Sequence, residues 1–296
     1  MKIELARHYG MCFGVRDALR KTHDLASREP ITVLGQLVHN SVVQEHLETL
    51  GVRQGNLETE ERPSTEAVVI TAHGASDQAR KSWRSRGHEV FDTTCPLVKR
   101  AHRSLECLVL AGYFPVVIGK RDHVEVRGLI GDFPEAVVVL NADDLGQIPA
   151  ETERLGVVSQ TTQPVDRVEA LVAEMHRRFP SAEIRQVDTV CQPTKDRQRA
   201  ILELCERNGV IVVVGGSNSN NTGQLVETAA RLGCRAHRVE RPAELKSQWF
   251  SKGDRVGVTA GTSTLDETVH AVVERLRIIA KEKESLGIFD ALKALG

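Results

Sequence analysis

Aromatic residues are scarce in this sequence: 4% of 296 residues, as seven Phe, two Tyr and two Trp. A protein that holds nucleic acid by stacking bases needs more rings than this. The formal net charge of -1 leaves no positive surplus for a phosphate backbone either, so no nucleic-acid partner is expected. Long hydrophobic runs are also missing. None approaches the roughly 20 residues that cross a bilayer, and Met1 to Arg7 lacks the apolar core of a signal peptide. The expectation is a cytoplasmic protein with no membrane partner. Cys-x-x-Cys turns are absent, which disfavours a structural zinc site. So are the Gly-Lys-Ser/Thr of a P-loop and the Gly-x-Gly-x-x-Gly of a dinucleotide fold, which disfavours nucleotide hydrolysis.

What remains is ordinary for a soluble α/β enzyme: 41% hydrophobic and 27% charged residues. The length exceeds one hydrophobic core, so two or three packed domains are expected. Six cysteines, Cys12, Cys95, Cys107, Cys191, Cys205 and Cys234, lie far apart in a chain whose size needs no disulfide staples. They serve either as thiolates for metal or catalysis, or as small buried apolar residues.

Three stretches open alike, each with a Cys at the end of an extended segment and a helix-like run after it. Cys12 precedes Val15 to Leu25, Cys95 precedes Val98 to Leu110, and Cys191 precedes Lys195 to Cys205. After each helix comes a short apolar strand ending in a polar loop: Ile31 to Leu34, Val116 to Ile118 and Val210 to Val214. A second strand in each stretch then feeds another polar turn, at Ala72 to Ser76, Ser159 to Thr162 and Ala260 to Ser263. Ligands of parallel α/β sheets gather where strand carboxyl ends meet helix amino ends. Continuous Val and Ile runs suit strands covered on both faces. The reading is an α/β fold of three similar small domains in a pseudo-threefold arrangement around a central cavity. The modules are residues 1–94 with the N-terminal Cys12 segment, 95–190 and 191–276, followed by a C-terminal tail, 277–296.

Three cysteines from three modules are an odd count for zinc. An iron-sulfur cluster with one unligated iron suits them better, since such an iron is both a Lewis acid and redox-active. Cys107 and Cys205 lie in Leu-rich helical runs and Cys234 begins a strand, so these three are expected in the core. His39, His73 and His123 each fall in a polar loop, where they can donate to an anion or a hydroxyl. Any one of them alone would more commonly be structural. Gly215 to Asn221 and Thr259 to Ser263 supply small donors at strand-loop-helix junctions, which suit a diphosphate or are merely polar turns. Glu125 shares a loop with His123. It is either a solvated surface group or, if enclosed, a proton donor acting through a hydroxyl such as Thr161.

This set of motifs resembles the 4-hydroxy-3-methylbut-2-enyl diphosphate reductases across residues 1 to about 276. The marks are Gly10 to Val15, Val38-His39-Asn40, Ala72-His73-Gly74, Asp92 to Val98, Gln160-Thr161-Thr162, Cys191, Asn218 to Asn221 and Thr259 to Ser263, in the family's order. The resemblance implies a 4Fe-4S cluster held by Cys12, Cys95 and Cys191, with the fourth iron open to substrate, inside a trefoil of α/β domains. It implies a diphosphate cradle of His39, His73, Ser219, Asn220, Asn221 and Ser263. His123, Thr161 and Glu125 would contact the hydroxyl and relay protons. Two electrons, from a ferredoxin or flavodoxin, and two protons would yield isopentenyl and dimethylallyl diphosphates plus water, the last step of the methylerythritol phosphate pathway.

The chain departs from the family's usual pattern at four places. Val124 stands where Pro is usual, Arg127 replaces a frequent acid, Gln192-Pro193 follow the third Cys, and Asn220 stands for a Ser or Gly. Two other readings therefore stand beside the reductase: a divergent paralogue acting on another small anion, and a non-catalytic iron-sulfur sensor, which would need no proton relay.

Overall fold

The computed structural model describes residues 1–59 and 61–293, with side-chain surroundings through residue 285. The chain opens with β1 (Lys2–Leu5) and α1 (Phe13–Ala26), then β2 (Ile31–Leu34), α2 (Ser41–Thr49), β3 (Arg53–Gly55), β4 (Ala67–Ile70), α3 (Asp77–Ser85) and β5 (Glu89–Asp92). Next come α4 (Pro96–Leu110), β6 (Phe114–Ile118), α5 (Val124–Ile130), β7 (Val137–Val139), β8 (Arg154–Ser159), α6 (Val165–Arg178) and β9 (Glu183–Gln186). The order ends with α7 (Gln192–Arg207), β10 (Val210–Val214), α8 (Asn220–Arg231), β11 (Arg235–Val239), β12 (Arg255–Ala260) and α9 (Asp266–Lys293).

These strands form three four-stranded sheets, in the orders β3-β2-β4-β5, β7-β6-β8-β9 and β1-β12-β10-β11. The strand pairs are parallel. The central strands are the predicted apolar runs. Ala67–Ile70 and Val210–Val214 are buried along their whole length, as strands covered on both faces must be. Burying each Val or Ile stabilises by roughly 1.5–3 kcal/mol before entropy is charged against it.

Within the first two sheets the order, counted along the chain, is second, first, third, fourth. The third sheet repeats this order only because β1 takes the fourth place beside β12, with Lys2 opposite Arg255 and Leu5 opposite Val258. The opening strand thus completes the sheet of the closing module, where the sequence reading had grouped it with residues 13–94. The chain divides into two compact units. One comprises Met1–Cys12, His39–Val43 and the chain from Lys195 onward; the other comprises Phe13–Val38 and Gln44–Thr194. The second unit contains two of the sheets and the first unit contains the third.

The final helix runs through the boundary expected at 276, to Lys293. Lys281 to Glu284 are strong helix formers and carry it onward, so residues 277–293 are helix and not a separate tail. Residues 294–296 of that expected tail lie outside the described residues. Among the described residues, no helix is long and apolar enough to cross a membrane.

Candidate functional site

The fourth strand of every sheet leads to a cysteine that starts a helix: β1 to Cys12 and α1, β5 to Cys95 and α4, β9 to Cys191 and α7. Each cysteine amide donates to a carbonyl in the turn after the neighbouring third strand. Cys12 N reaches Thr262 O at 2.9 Å, Cys95 N reaches Ala72 O at 3.0 Å, and Cys191 N reaches Thr161 O at 2.9 Å. One local solution therefore occurs three times. It places each thiol at the positive end of a helix, where negative charge is favoured. All three are partly accessible and none is sealed in a core.

In the unit that contains Cys12, the segment bearing it is pinned by long-range contacts. The buried Arg197 guanidinium donates to the Gly10 carbonyl and, at 3.3 Å, to that of Tyr9. Met11 N donates to Asp266 Oδ1 at 3.3 Å. Gly10 adopts a positive φ of 72° and presses so closely on the Asp266 carboxylate that a Cβ would have no room. The same unit gathers five of the proposed cradle residues. Ser219 caps α8, its hydroxyl accepting from Thr222 N at 3.3 Å, and Asn220 and Asn221 form the first helical turn. Asn221 Oδ1 accepts from Thr262 N at 3.1 Å, while its Nδ2 is buried with no hydrogen-bond partner among the described residues. The Ser263 hydroxyl donates to His39 O at 3.2 Å, and Asn40 Nδ2 donates to Ser263 O at 3.0 Å. Asn40 Oδ1 also caps α2 by accepting from Val42 N and Val43 N. Burial lowers the pKa of His39, so its neutral form is favoured near neutral pH.

In the other unit, α5 packs onto the turn that bears His73. A Cβ on Gly128 would meet the Ala75 backbone at 3.4 Å, so helix and turn are in close contact. That contact brings the His73 and His123 rings edge to face, with centroids 5.5 Å apart. His123 is the N-cap of α5, and its Nδ1 accepts from Glu125 N at 3.1 Å. In the neutral ring this leaves Nε2 as the donor.

Glu125 is enclosed, with only 2% of its surface exposed. Both carboxylate oxygens face Thr161, whose N donates to Oε1 at 2.6 Å and whose hydroxyl donates to Oε2 at 3.0 Å. Burial pushes the carboxyl pKa up to about 7, against the lowering effect of those two hydrogen bonds. A carboxylic acid half protonated at neutral pH is suited to general acid work. The surface reading of Glu125 is thereby excluded, and the pairing with Thr161 is as expected.

Cys95 lies against α1, where a Cβ on Gly14 would collide with its Sγ. Its loop is tied down by Asp92, which accepts from Thr94 N at 2.9 Å and from Lys99 Nζ at 2.9 Å, and by Arg80, which reaches Thr94 Oγ1 at 3.4 Å. Cys191 Sγ is 3.1 Å from the buried Thr194 hydroxyl. The departures at Pro193 and Val124 fall in the first turns of α7 and α5, where the lack of an N–H costs nothing and Pro and Val are interchangeable.

Arg80, Arg197 and Asp266 are site residues that the sequence reading does not name. Gln160 is fully buried and its Oε1 accepts from Lys120 N at 3.2 Å and Gln163 Nε2 at 2.9 Å, linking the two polar loops of the second sheet. Asp92 and Gln160 open two of the named motifs, where the sequence attaches no separate role to them. Arg197 and Asp266 meet the Cys12 segment across more than half the chain and carry no local signal. Cys107 corrects the reading of the remaining cysteines, being exposed where a core position was expected, whereas Cys205 and Cys234 pack beside the α7 and α8 core.

The family model described as LytB protein matches residues 3–277. The chain belongs to the LytB family. Its relatives include the 4-hydroxy-3-methylbut-2-enyl diphosphate reductases of Trichlorobacter lovleyi, 36% identical over 93% of this chain and 98% of that protein, and Geobacter metallireducens, 35% identical over 96% and 100%. Among solved structures, the E-1-hydroxy-2-methyl-but-2-enyl-4-diphosphate reductase of Plasmodium falciparum matches 92% of this LytB chain and 87% of its own, with 27% identity and a TM-score of 0.85. A second structure, of (E)-4-hydroxy-3-methyl-but-2-enyl diphosphate reductase, covers 94% and 99% with 31% identity and a TM-score of 0.66.

Proposed function

We propose that this LytB protein is a 4-hydroxy-3-methylbut-2-enyl diphosphate reductase that uses an iron-sulfur cluster. The observation that carries this reading is the threefold repeat: three thiols, each hung from the turn after a third strand and each opening a helix. That donor set suits a 4Fe-4S cluster on Cys12, Cys95 and Cys191 with one iron left to substrate. When bound, such a cluster supplies electrons and a Lewis-acid corner for removal of a hydroxyl group.

The chain's own residues bind the substrate and move protons. Ser219, Asn220 and Asn221 at the start of α8, together with Ser263, His39 and His73, hold the diphosphate through hydroxyls, amides, rings and the helix dipole. The unpartnered Asn221 Nδ2 supports this, because a buried amide without an acceptor is costly until an oxygen arrives. His123 donates from Nε2 to the substrate hydroxyl. Glu125 gives a proton through the Thr161 hydroxyl, and its elevated pKa keeps that proton available at neutral pH. Substrate, two electrons and two protons give the alkenyl diphosphates and water, with the carbon–oxygen bond broken.

The test is anaerobic reconstitution with iron and sulfide, followed by assay of 4-hydroxy-3-methylbut-2-enyl diphosphate with reduced methyl viologen. Consumption of the substrate with formation of isopentenyl and dimethylallyl diphosphates is expected. A cluster-loaded protein that leaves the substrate untouched overturns the assignment.

A further inference from the structure

Pro96, Lys99, Arg100, Arg103 and Cys107 line one wall of a groove of about 580 Å³ along α4, and Arg185 of β9 lines the other. These α4 positions recur at helical spacing on the face opposite the one that builds the core. Ala101, Leu105 and Leu108 face Tyr113, Val117 and Val158, so the fold is served by the other side of the helix. The groove-lining residues include four cationic side chains and no acid. Lys99 pairs at one end with Asp92, Arg100 gives one N–H to Asp188 O at 3.4 Å, and Arg185 is held over the Tyr113 ring.

The placement of these charges works against the helix itself. A helix is stabilised by acids in its first turn and bases in its last. α4 has no acid in its first turn and no base in its last, and Lys99, Arg100 and Arg103 crowd toward its positive end. Helix stability therefore does not account for them. The groove also begins at Pro96, the residue after Cys95, and Arg103 is only about 10 Å further along the axis at 1.5 Å per residue. A body seated here lies next to a proposed cluster ligand.

We infer that this groove is the docking surface for an acidic one-electron carrier protein. The inference rests on the reductase reading, which requires two electrons per turnover from outside the chain. Each docking event oxidises the carrier by one electron and reduces the enzyme by one. Two events supply the pair consumed when the carbon–oxygen bond breaks, one proton leaving with the hydroxyl as water and the other adding to carbon. Opposite charge across the rim speeds encounter and orients the carrier, at a strength that falls with salt.

The test uses the cluster-loaded enzyme and an acidic [2Fe-2S] ferredoxin as probe, titrated calorimetrically at about 50 mM and about 300 mM salt. The double variant Arg100→Glu, Arg103→Glu should bind the ferredoxin about tenfold or more weakly at the lower salt, with the gap narrowing at the higher. KM for ferredoxin-driven turnover should rise in parallel, while turnover with reduced methyl viologen stays at the wild-type rate. Glu106→Lys, which adds a cation to the same exposed helix, should tighten binding several-fold, a gain that misfolding cannot produce. Wild-type affinity in the double variant, or no change in Glu106→Lys, overturns the docking surface. Absence of viologen-driven turnover in the wild type would instead count against the reductase reading, since the calorimetry decides docking by itself.

Discussion

At the scale of single residues, Glu125 shows how burial turns a common surface side chain into a proton donor. Its carboxyl is raised to about 7 from an ordinary value of 4.5, with burial as the cause. The charged form is the disfavoured one. Turnover should therefore fall on the alkaline side with an apparent pKa of about 7, as the donor loses its proton. Glu125→Gln should lower kcat by roughly 10²- to 10⁴-fold with KM little changed, because shape and the acceptor for Thr161 N survive while the proton does not. Stability carries the same signature. Between the unfolded and folded pKa values the native state binds more protons, so wild-type stability falls as pH rises from about 4.5 to about 7. Urea denaturation across that interval should show a slope for wild type that the Gln variant lacks; parallel curves would deny the burial effect. Gly14 is a second decisive residue. Gly14→Ala places a methyl on the Cys95 sulfur, and iron and sulfide analysis after reconstitution should find the loading reduced several-fold. Full loading would show that the cysteine can move aside at no cost.

At the scale of elements, helix ends position most of the site. Ser76 caps α3 by accepting from Ala79 N, and Asp132, from beyond the end of α5, accepts from Asp77 N at 2.7 Å and Gln78 N at 2.9 Å. These bonds hold the turn bearing His73 against the helix bearing His123. Asp132→Ala should cost about 0.5–2 kcal/mol in urea denaturation and raise KM for the diphosphate more than it lowers kcat. An unchanged KM would show the cap to be structural only. Much at this scale was legible in the sequence. The expected strands Ile31–Leu34 and Val210–Val214 have the observed bounds, since short Val and Ile runs between polar turns have few other uses. Glu125 was read in a loop, yet it belongs to the first turn of α5. A one-residue step from cap to helix leaves no mark in composition.

At the scale of the whole chain, the three proposed ligands are separated by 83 and 96 residues. A cluster on them binds the folded chain and not the unfolded one, so loading should stabilise by mass action. Anaerobic calorimetric scans should place Tm of the loaded protein several degrees above the apoprotein, and coincident transitions would speak against ligation by all three.

The sequence by itself determined the periodic elements, the three cysteine-to-helix junctions, the polar turns after the strands and the membership of the family these motifs imply, because each is a property of contiguous residues. Tertiary structure alone decided that β1 completes the last sheet, that Arg197 and Asp266 hold the Cys12 segment, that Glu125 is enclosed with Thr161, and that Cys107 faces a basic groove. Strand partnership, burial and the raised acidity constant that follows from it depend on groups distant along the chain, and the order of residues does not state which distant groups will meet.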